Sequence, residues 1–263
     1  MKEGTGSREE VGRLRGLSFA VGPYRPPSEG GSASLLLQVT GNCPWNKCTF
    51  CEMYKGQRFV YRPVADIVAD IDRVAAIRDG IQEISRKLGM GGQPTREVAA
   101  MILAADRSLA ENYAFASVFN WLGAGGKTAF LQDADSLIMR PPELVAVLKH
   151  LRKTLPSLIR VTSYSRSKTL FHRRPEELLA IREAGLDRLH IGLETGDDAL
   201  LAHVRKGVTS AEQIAGGRKA MAAGFQVSEY WMPDLGGREG RRAHGSNTAR
   251  VLSAINPHYI RSR

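Results

Sequence analysis

The sequence predicts an α/β fold, an open, partial (β/α)6 barrel of TIM-like type behind an N-terminal arm. Three observations carry this. From Ser34 onward, short apolar runs alternate with stretches of helical periodicity, the pattern of a parallel sheet with helical crossovers. Six candidate strands are present, fewer than the eight that close a barrel. Ahead of them, residues 1–33 are charged at first and then run through Gly22-Pro23-Tyr24-Arg25-Pro26-Pro27-Ser28-Glu29-Gly30-Gly31, which cannot hold a regular element. The expected division is an arm or cap over 1–33 and a core domain over 34–263.

The first strand is the apolar run from Ser34 to Thr40, bounded by glycine as a buried parallel strand tends to be. Pro63 then opens a helix with apolar positions at Val64, Ile67, Val68, Ile71, Val74 and Ile77, expected to stop at Gly80. Residues 94–122 read as further helix, starting at Pro94 or Thr95 and ending at Gly123. Strand 128–131 precedes helix 141–154, and strand 158–163 precedes helix 175–184. Strand 187–193 leads to helices near 197–204 and 209–222, with Asp197 and Asp198 as N-cap and first-turn acid. Strand 226–232 leads to helix 242–254, and a last strand is expected over 258–261. The chain ends where another helix is due, which points to a last β/α unit that is incomplete or completed by a partner.

At 263 residues and 43% hydrophobic content, the chain can bury one large core or two modest ones. No apolar run approaches the roughly 20 residues of a membrane span. The charged N-terminus lacks the apolar stretch of a secretory signal. The net charge of +10, with clusters such as Arg173/Arg174 and Arg238/Arg241/Arg242, suits anionic metabolites, RNA or an acidic electron donor. These clusters are dispersed and not interleaved with aromatic residues, so nucleic-acid binding has no dedicated module behind it. Free thiols without a signal suit a reducing, cytoplasmic setting.

The chain's three cysteines, Cys43, Cys48 and Cys51, fall within nine residues. Three thiols cannot all pair as disulfides, and a trio with no fourth nearby suits a metal or cluster that keeps one coordination position open. A structural zinc needs a fourth ligand, and the nearest downstream histidine is His150. An electron-carrier cluster needs a fourth cysteine. These two, and a scaffold that keeps a cluster without catalysing, are the alternatives to a catalytic cubane with one open iron.

The spacing Cys-x4-Cys-x2-Cys after the first strand of a β/α chain resembles the radical S-adenosylmethionine (radical SAM) superfamily. The usual signature there, Cys-x3-Cys-x2-Cys, is one residue shorter. Some members identified as Fe–S oxidoreductases carry the longer spacing, and Arg25-Pro26-Pro27-Ser28-Glu29 and the loop from Asn42 to Cys48 are similar to theirs. The likeness spans most of residues 24–261. It implies that Cys43, Cys48 and Cys51 hold three irons of a [4Fe–4S] cluster whose fourth iron chelates the amino and carboxylate groups of SAM. Reductive cleavage would then give methionine and a 5′-deoxyadenosyl radical that abstracts hydrogen from an unknown substrate. An electron donor such as flavodoxin or ferredoxin is implied with it.

Residue by residue, the resemblance implies that Phe50 packs near the adenine, with shielding of the cluster as the alternative. Asp133 and Asp135 end the second strand, where relatives have a Gly-Gly-Glu-type segment, and are expected to accept from the SAM ammonium; helix capping is the alternative. Glu194, in the stretch from His190 to Gly196, is expected to reach the SAM ribose or amino group. Ser163, Tyr164, Ser165 and Arg166 end the third strand and are placed to contact SAM or substrate, Arg166 as a fork on the SAM carboxylate or in a surface ion pair. Gly236 and Gly237 would let the backbone approach the adenine, or simply form a turn. Tyr24, Tyr54 and Tyr164 read as packing residues first and hydrogen-atom relays second. The chain shows no second cysteine set and no room for an RNA-binding or cobalamin module. That points to hydrogen abstraction from a modest substrate, with segments 80–127 and 234–245 shaping specificity.

Overall fold

The computed structural model describes residues 3–23 and 34–263. Tyr24 and the Arg25–Glu29 segment lie outside the described residues. In chain order the elements are α1 (Glu3–Arg15), β1 (Leu35–Gln38), β2 (Thr40–Gly41), β3 (Val60–Tyr61), α2 (Val64–Lys87), α3 (Arg96–Ala105), α4 (Tyr113–Gly123) and β4 (Thr128–Gln132). They continue with α5 (Pro141–Thr154), β5 (Arg160–Ser165), α6 (Ser167–His172), α7 (Pro175–Glu183), β6 (Arg188–Glu194), α8 (Asp198–His203), α9 (Ser210–Ala222), β7 (Gln226–Trp231), α10 (Gly237–Ile255) and β8 (Tyr259–Ser262). Six strands form one sheet in the order β1-β4-β5-β6-β7-β8, and the pairs from β5 to β8 are parallel. Its two edges, β1 and β8, do not meet, so the sheet is open, as the six-strand pattern predicts. Among the described residues no helix is long and apolar enough to cross a membrane.

The chain divides into two compact units. The first takes residues up to Gln38, Pro63–Phe130 and His150–Ile159. Its α2 buries Ile67, Ile71, Val74, Ile77, Ile81 and Ile84 on one stripe and runs past Gly80 to Lys87. The expected stop at Gly80 has a different purpose. A Cβ there would stand 2.8 Å from Leu14 Cδ2, so the glycine lets α1 close on α2. Helix α1 itself lies in the segment read as an arm, where Val11 and Leu14 are fully buried. The helical stretch 94–122 is broken in two at Asp106, whose carboxylate accepts from Ser108 N at 3.0 Å and from the Arg15 guanidinium. Thr95 caps α3 and Asn112 caps α4.

The second unit holds Val39–Arg62, Leu131–Lys149 and Arg160–Arg263. Asp197 caps α8, accepting from Leu200 N at 2.9 Å, and Thr209 with Glu212 forms a capping box for α9. Helix α10 starts at Gly237, five residues before the expected 242, because Gly236 and Gly237 form its first turn. A short α6, absent from the sequence reading, follows β5. Leu193 packs with Val251, Leu252 and Ile255 of α10, which places that helix on one face of the strands.

Candidate active site

The three cysteines sit on a loop that the short ribbon β2–β3 pinches at its base, with Thr40 opposite Tyr61 and Gly41 opposite Val60. Inside the loop, Asn42 and Asn46 take the left-handed conformation, at φ 66° and 49°, which asparagine tolerates better than most residues. Their side chains fold the loop back on itself: Asn42 Nδ2 donates to Arg58 O at 2.7 Å, and Asn46 Nδ2 to Gln57 O at 3.2 Å and to Tyr54 O. Lys55 Nζ donates to Cys48 O at 2.8 Å, and Asn46 N to Cys43 Sγ at 3.4 Å. The three thiols are free and half-buried.

This loop is fixed onto the segment that follows α8. Thr49 N donates to Val204 O at 3.0 Å, and Trp45 Nε1 to Arg205 O at 2.7 Å. The Trp45 ring lies where a side chain on residue 207 would be: a Cβ on Gly207 would stand 2.3 Å from it, and Gly207 is itself at φ +73°. Arg166 stacks its guanidinium 5.1 Å over the same ring and donates to Lys206 O at 3.0 Å. Lys206 Nζ lies 5.5 Å from the Phe50 ring centre and donates to Glu194 Oε1 at 2.8 Å. Glu194, at φ 62°, closes β6, and a Cβ on Gly192 would stand 2.4 Å from its Oε1. The glycine thus makes room for the ion pair. Burial holds the Cys48 thiol above its ordinary pKa, the cations Lys206 and Arg166 pull it down, and the neighbouring thiols raise it further.

The expected site residues fall into two groups. Cys48, Phe50, Arg166 and Glu194 come together around Lys206, and Cys43 and Cys51 are near enough to act electrostatically on Cys48. Among the described residues Arg166 makes no ion pair; its side chain meets a ring and a carbonyl. Asp133, Asp135 and Ser163 are buried framework. Asp133 accepts from Asn42 N at 2.9 Å and so anchors the start of the cysteine loop. Asp135 is fully buried, accepting from Thr169 Oγ1 and from Ser165 Oγ at 3.3 Å. Burial pushes its pKa up to about 6 against the pull of the Thr169 hydrogen bond and Arg166. Its side chain caps no helix. Ser163 Oγ donates at 2.7 Å to Ser136 Oγ. Gly236 and Gly237 serve the helix start, where a Cβ on Gly236 would crowd His244 Cβ at 3.0 Å.

Sequence reasoning missed Trp45, Lys206, Gly207 and Gly192. One signal was present: a Lys-Gly pair follows the α8 segment, twelve residues after Glu194. Thr195 and Gly196 hold α10 instead of a ligand, through Thr195 Oγ1 to His244 Nδ1 at 2.7 Å and Gly196 N to Thr248 Oγ1 at 3.0 Å.

Among the described residues, no three Cys, His, Asp or Glu side chains converge as ligands of one metal ion would. A cubane spreads its thiolates over separate irons, one each, and the chain offers three thiolates and no fourth. The donor set therefore fits a [4Fe–4S] cluster with one open iron. Residues 37–234 match the family model of the radical SAM superfamily. The chain belongs to the radical SAM superfamily. That family works with a [4Fe–4S] cluster and SAM. No curated protein is similar to the chain by sequence search. Among solved structures, the radical SAM methyltransferase TsrM from Kitasatospora setae, with cobalamin and a [4Fe–4S] cluster bound, is 14% identical at a TM-score of 0.51. The match covers 86% of this chain and 35% of TsrM. The cobalamin-dependent radical SAM enzyme OxsB, with aqua-cobalamin and SAM bound, is 16% identical at a TM-score of 0.50, over 82% of this chain and 26% of OxsB. This radical SAM chain thus spans about a quarter to a third of the length of these solved proteins, and the likeness is one of fold.

Proposed function

We propose that the chain is a radical SAM enzyme that abstracts hydrogen from a small substrate, using the cysteine loop and the Glu194–Lys206 pair as its cofactor site. The observation that carries this reading is the way Lys206 sits against Phe50, beside Cys48 and on Glu194, which puts thiolate, aromatic ring and paired carboxylate in one place. Bound there, the cluster and SAM supply one-electron cleavage of a sulfonium bond, the source of a hydrogen-abstracting radical. The cofactor carries that chemistry, and the chain positions it.

Cys43, Cys48 and Cys51 would hold the cluster, each through its thiolate, and with no fourth cysteine in the chain they would leave a position open for SAM. Lys206 and Arg166 stabilise the thiolate form of Cys48. Trp45 ties the loop to Gly207, and Phe50 lies beneath the Lys206 ammonium. Glu194 offers its second oxygen to the SAM ribose or amino group while Lys206 holds the first. Asp133 sets the loop's entry through Asn42, and Asp135 with Ser163 stiffens the strand ends beneath it. A low-potential donor such as flavodoxin or ferredoxin supplies the electron, and three free thiols suit a reducing, cytoplasmic compartment.

The test is anaerobic reconstitution with iron and sulfide, then dithionite and SAM, with 5′-deoxyadenosine as the readout. The parent protein is expected to show broad absorption near 400 nm and to form 5′-deoxyadenosine. Cys43→Ala, Cys48→Ala and Cys51→Ala should each lose both. A well-formed cluster that never cleaves SAM would refute the catalytic reading.

A further inference from the structure

The register of β5 to β8 sorts their side chains onto two faces. Ser163 and Ser165 share a face with Leu189, Ile191, Val227, Glu229 and Trp231, and there α9 and α10 pack, through contacts to Leu193 and Trp231. The opposite face, which in a β/α fold is the inner one, carries Tyr164 beside His190, His190 beside Ser228, and Tyr230 beside Arg261. A barrel interior is ordinarily filled with Val, Ile and Leu. Here it is polar and aromatic.

The rings form a continuous row: Tyr164 and His190 lie 5.9 Å apart between centres, His190 and Tyr230 5.4 Å. Arg263 stands over this row, and Arg261 beside it stacks 5.8 Å over the Tyr259 ring. Arg263 stacks 4.5 Å from the Tyr230 ring and donates to Tyr164 Oη at 2.9 Å. Arg261 Nε donates to Ser228 Oγ at 3.2 Å. Neither guanidinium has a carboxylate partner among the described residues; their partners are the Tyr164 and Ser228 hydroxyls and the rings of Tyr164, Tyr230 and Tyr259. The Tyr230 hydroxyl is buried with no hydrogen-bond partner, and Tyr230 as a whole is 5% exposed. A buried hydroxyl of that kind costs free energy unless something bonds to it. Glu194, at the C-terminal end of the neighbouring strand, is near enough to act electrostatically on Arg263, which ties this face to the cofactor end of the sheet.

We infer that this face binds the substrate, and that the substrate is a small organic anion: a carboxylate or phosphate held by Arg261 and Arg263, its body lying against Tyr164, the half-buried ring of the row. The inference rests on the enzymatic reading above and specifies its substrate class. Two guanidiniums with no carboxylate partner among the described residues suit an oxyanion, the tilted rings offer apolar edges and faces, and the Tyr230 hydroxyl is left to bond a polar atom of the ligand.

The test measures binding by thermal denaturation of the full chain, reconstituted anaerobically, with phenylacetate, phenyl phosphate and the neutral phenylacetamide as probes. The two anions are expected to raise the midpoint in a dose-dependent way and the amide to leave it unchanged. The better of the two anions identifies the substrate's group as carboxylate or phosphate. Arg261→Gln and Arg263→Gln should abolish the shift, and Tyr230→Phe should weaken it several-fold in Kd. Arg140→Gln, an exposed arginine at the start of α5, should leave it intact. Equal shifts by anion and amide, no shift by either anion, or an undiminished shift in the Arg261 and Arg263 variants would overturn the inference. If either glutamine variant fails to fold, as judged by circular dichroism, Arg263→Lys and Tyr230→Phe carry the same comparison. SAM cleavage is assayed separately on the same samples. Cleavage without anion binding defeats the substrate class alone, and anion binding without cleavage defeats the enzymatic reading alone.

Discussion

Lys206 and Glu194 meet at 2.8 Å with side chains only 11% and 12% exposed, so each is the other's main compensation for lost hydration. Lys206→Met leaves Glu194 charged and covered. The expected loss is about 3–5 kcal/mol in urea denaturation, together with weaker SAM binding by equilibrium dialysis. Glu229 is the contrasting case. It is buried on β7, its Oε2 has no hydrogen-bond partner, and burial holds its pKa well above the carboxylate range, with Glu194 adding to the rise and Lys206 opposing it. A raised carboxylate pKa means that the fold prefers the neutral form. Its ionisation therefore costs nothing below the unfolded-state pKa, and the penalty builds as pH climbs from there through the folded one. Glu229→Gln should raise Tm relative to the parent at pH 8, and the difference should shrink towards pH 4. A constant difference across that range would count against a buried, titrating carboxylate.

At the scale of elements, two glycines decide which segments touch. Gly207 leaves space for Trp45, and that contact joins the cysteine loop to the end of α8. Gly207→Ala puts a Cβ inside the indole and strains a positive φ, so the loop must shift. Iron per chain after reconstitution should fall by more than half, and Trp45→Ala in the same background should recover part of it, the coupling expected of residues in contact. Gly80 does the same for α1 and α2, where Leu14 occupies the space of the missing Cβ. Gly80→Val should cost about 1–3 kcal/mol through overpacking, read from the urea midpoint. Any gain in helix propensity over glycine is smaller than that.

Over the whole molecule, charge and cofactor loading set the behaviour. A net charge of +10 favours encounter with an acidic electron donor. Formation of 5′-deoxyadenosine driven by reduced flavodoxin should slow several-fold between low salt and about 0.3 M, where the screening length falls below about 10 Å. Driven by a small chemical reductant, it should change far less. Equal salt dependence for both would show that the basic surface plays no part in electron delivery.

The chain's local chemistry determined a good deal by itself. Alternating apolar runs and helical stripes specified the open six-stranded sheet, because periodicity of 2 and 3.6 is written directly into residue order. Pro63, Thr95 and Asp197 marked helix starts, since caps act within a few residues. Three cysteines in nine residues marked one loop as the candidate site for the same reason. Tertiary structure alone decided the rest. Helix α1 gains its burial only by packing on α2, and Gly80 reads as a stop until Leu14 is seen against it. Asp135 looks like a ligand residue until burial and Thr169 enclose it. Lys206 acquires its role from Glu194, Phe50 and Cys48, which approach it from other strands and loops. Close approach between distant segments leaves no periodic trace in a single sequence, and so the partners of a side chain appear only once the chain has folded.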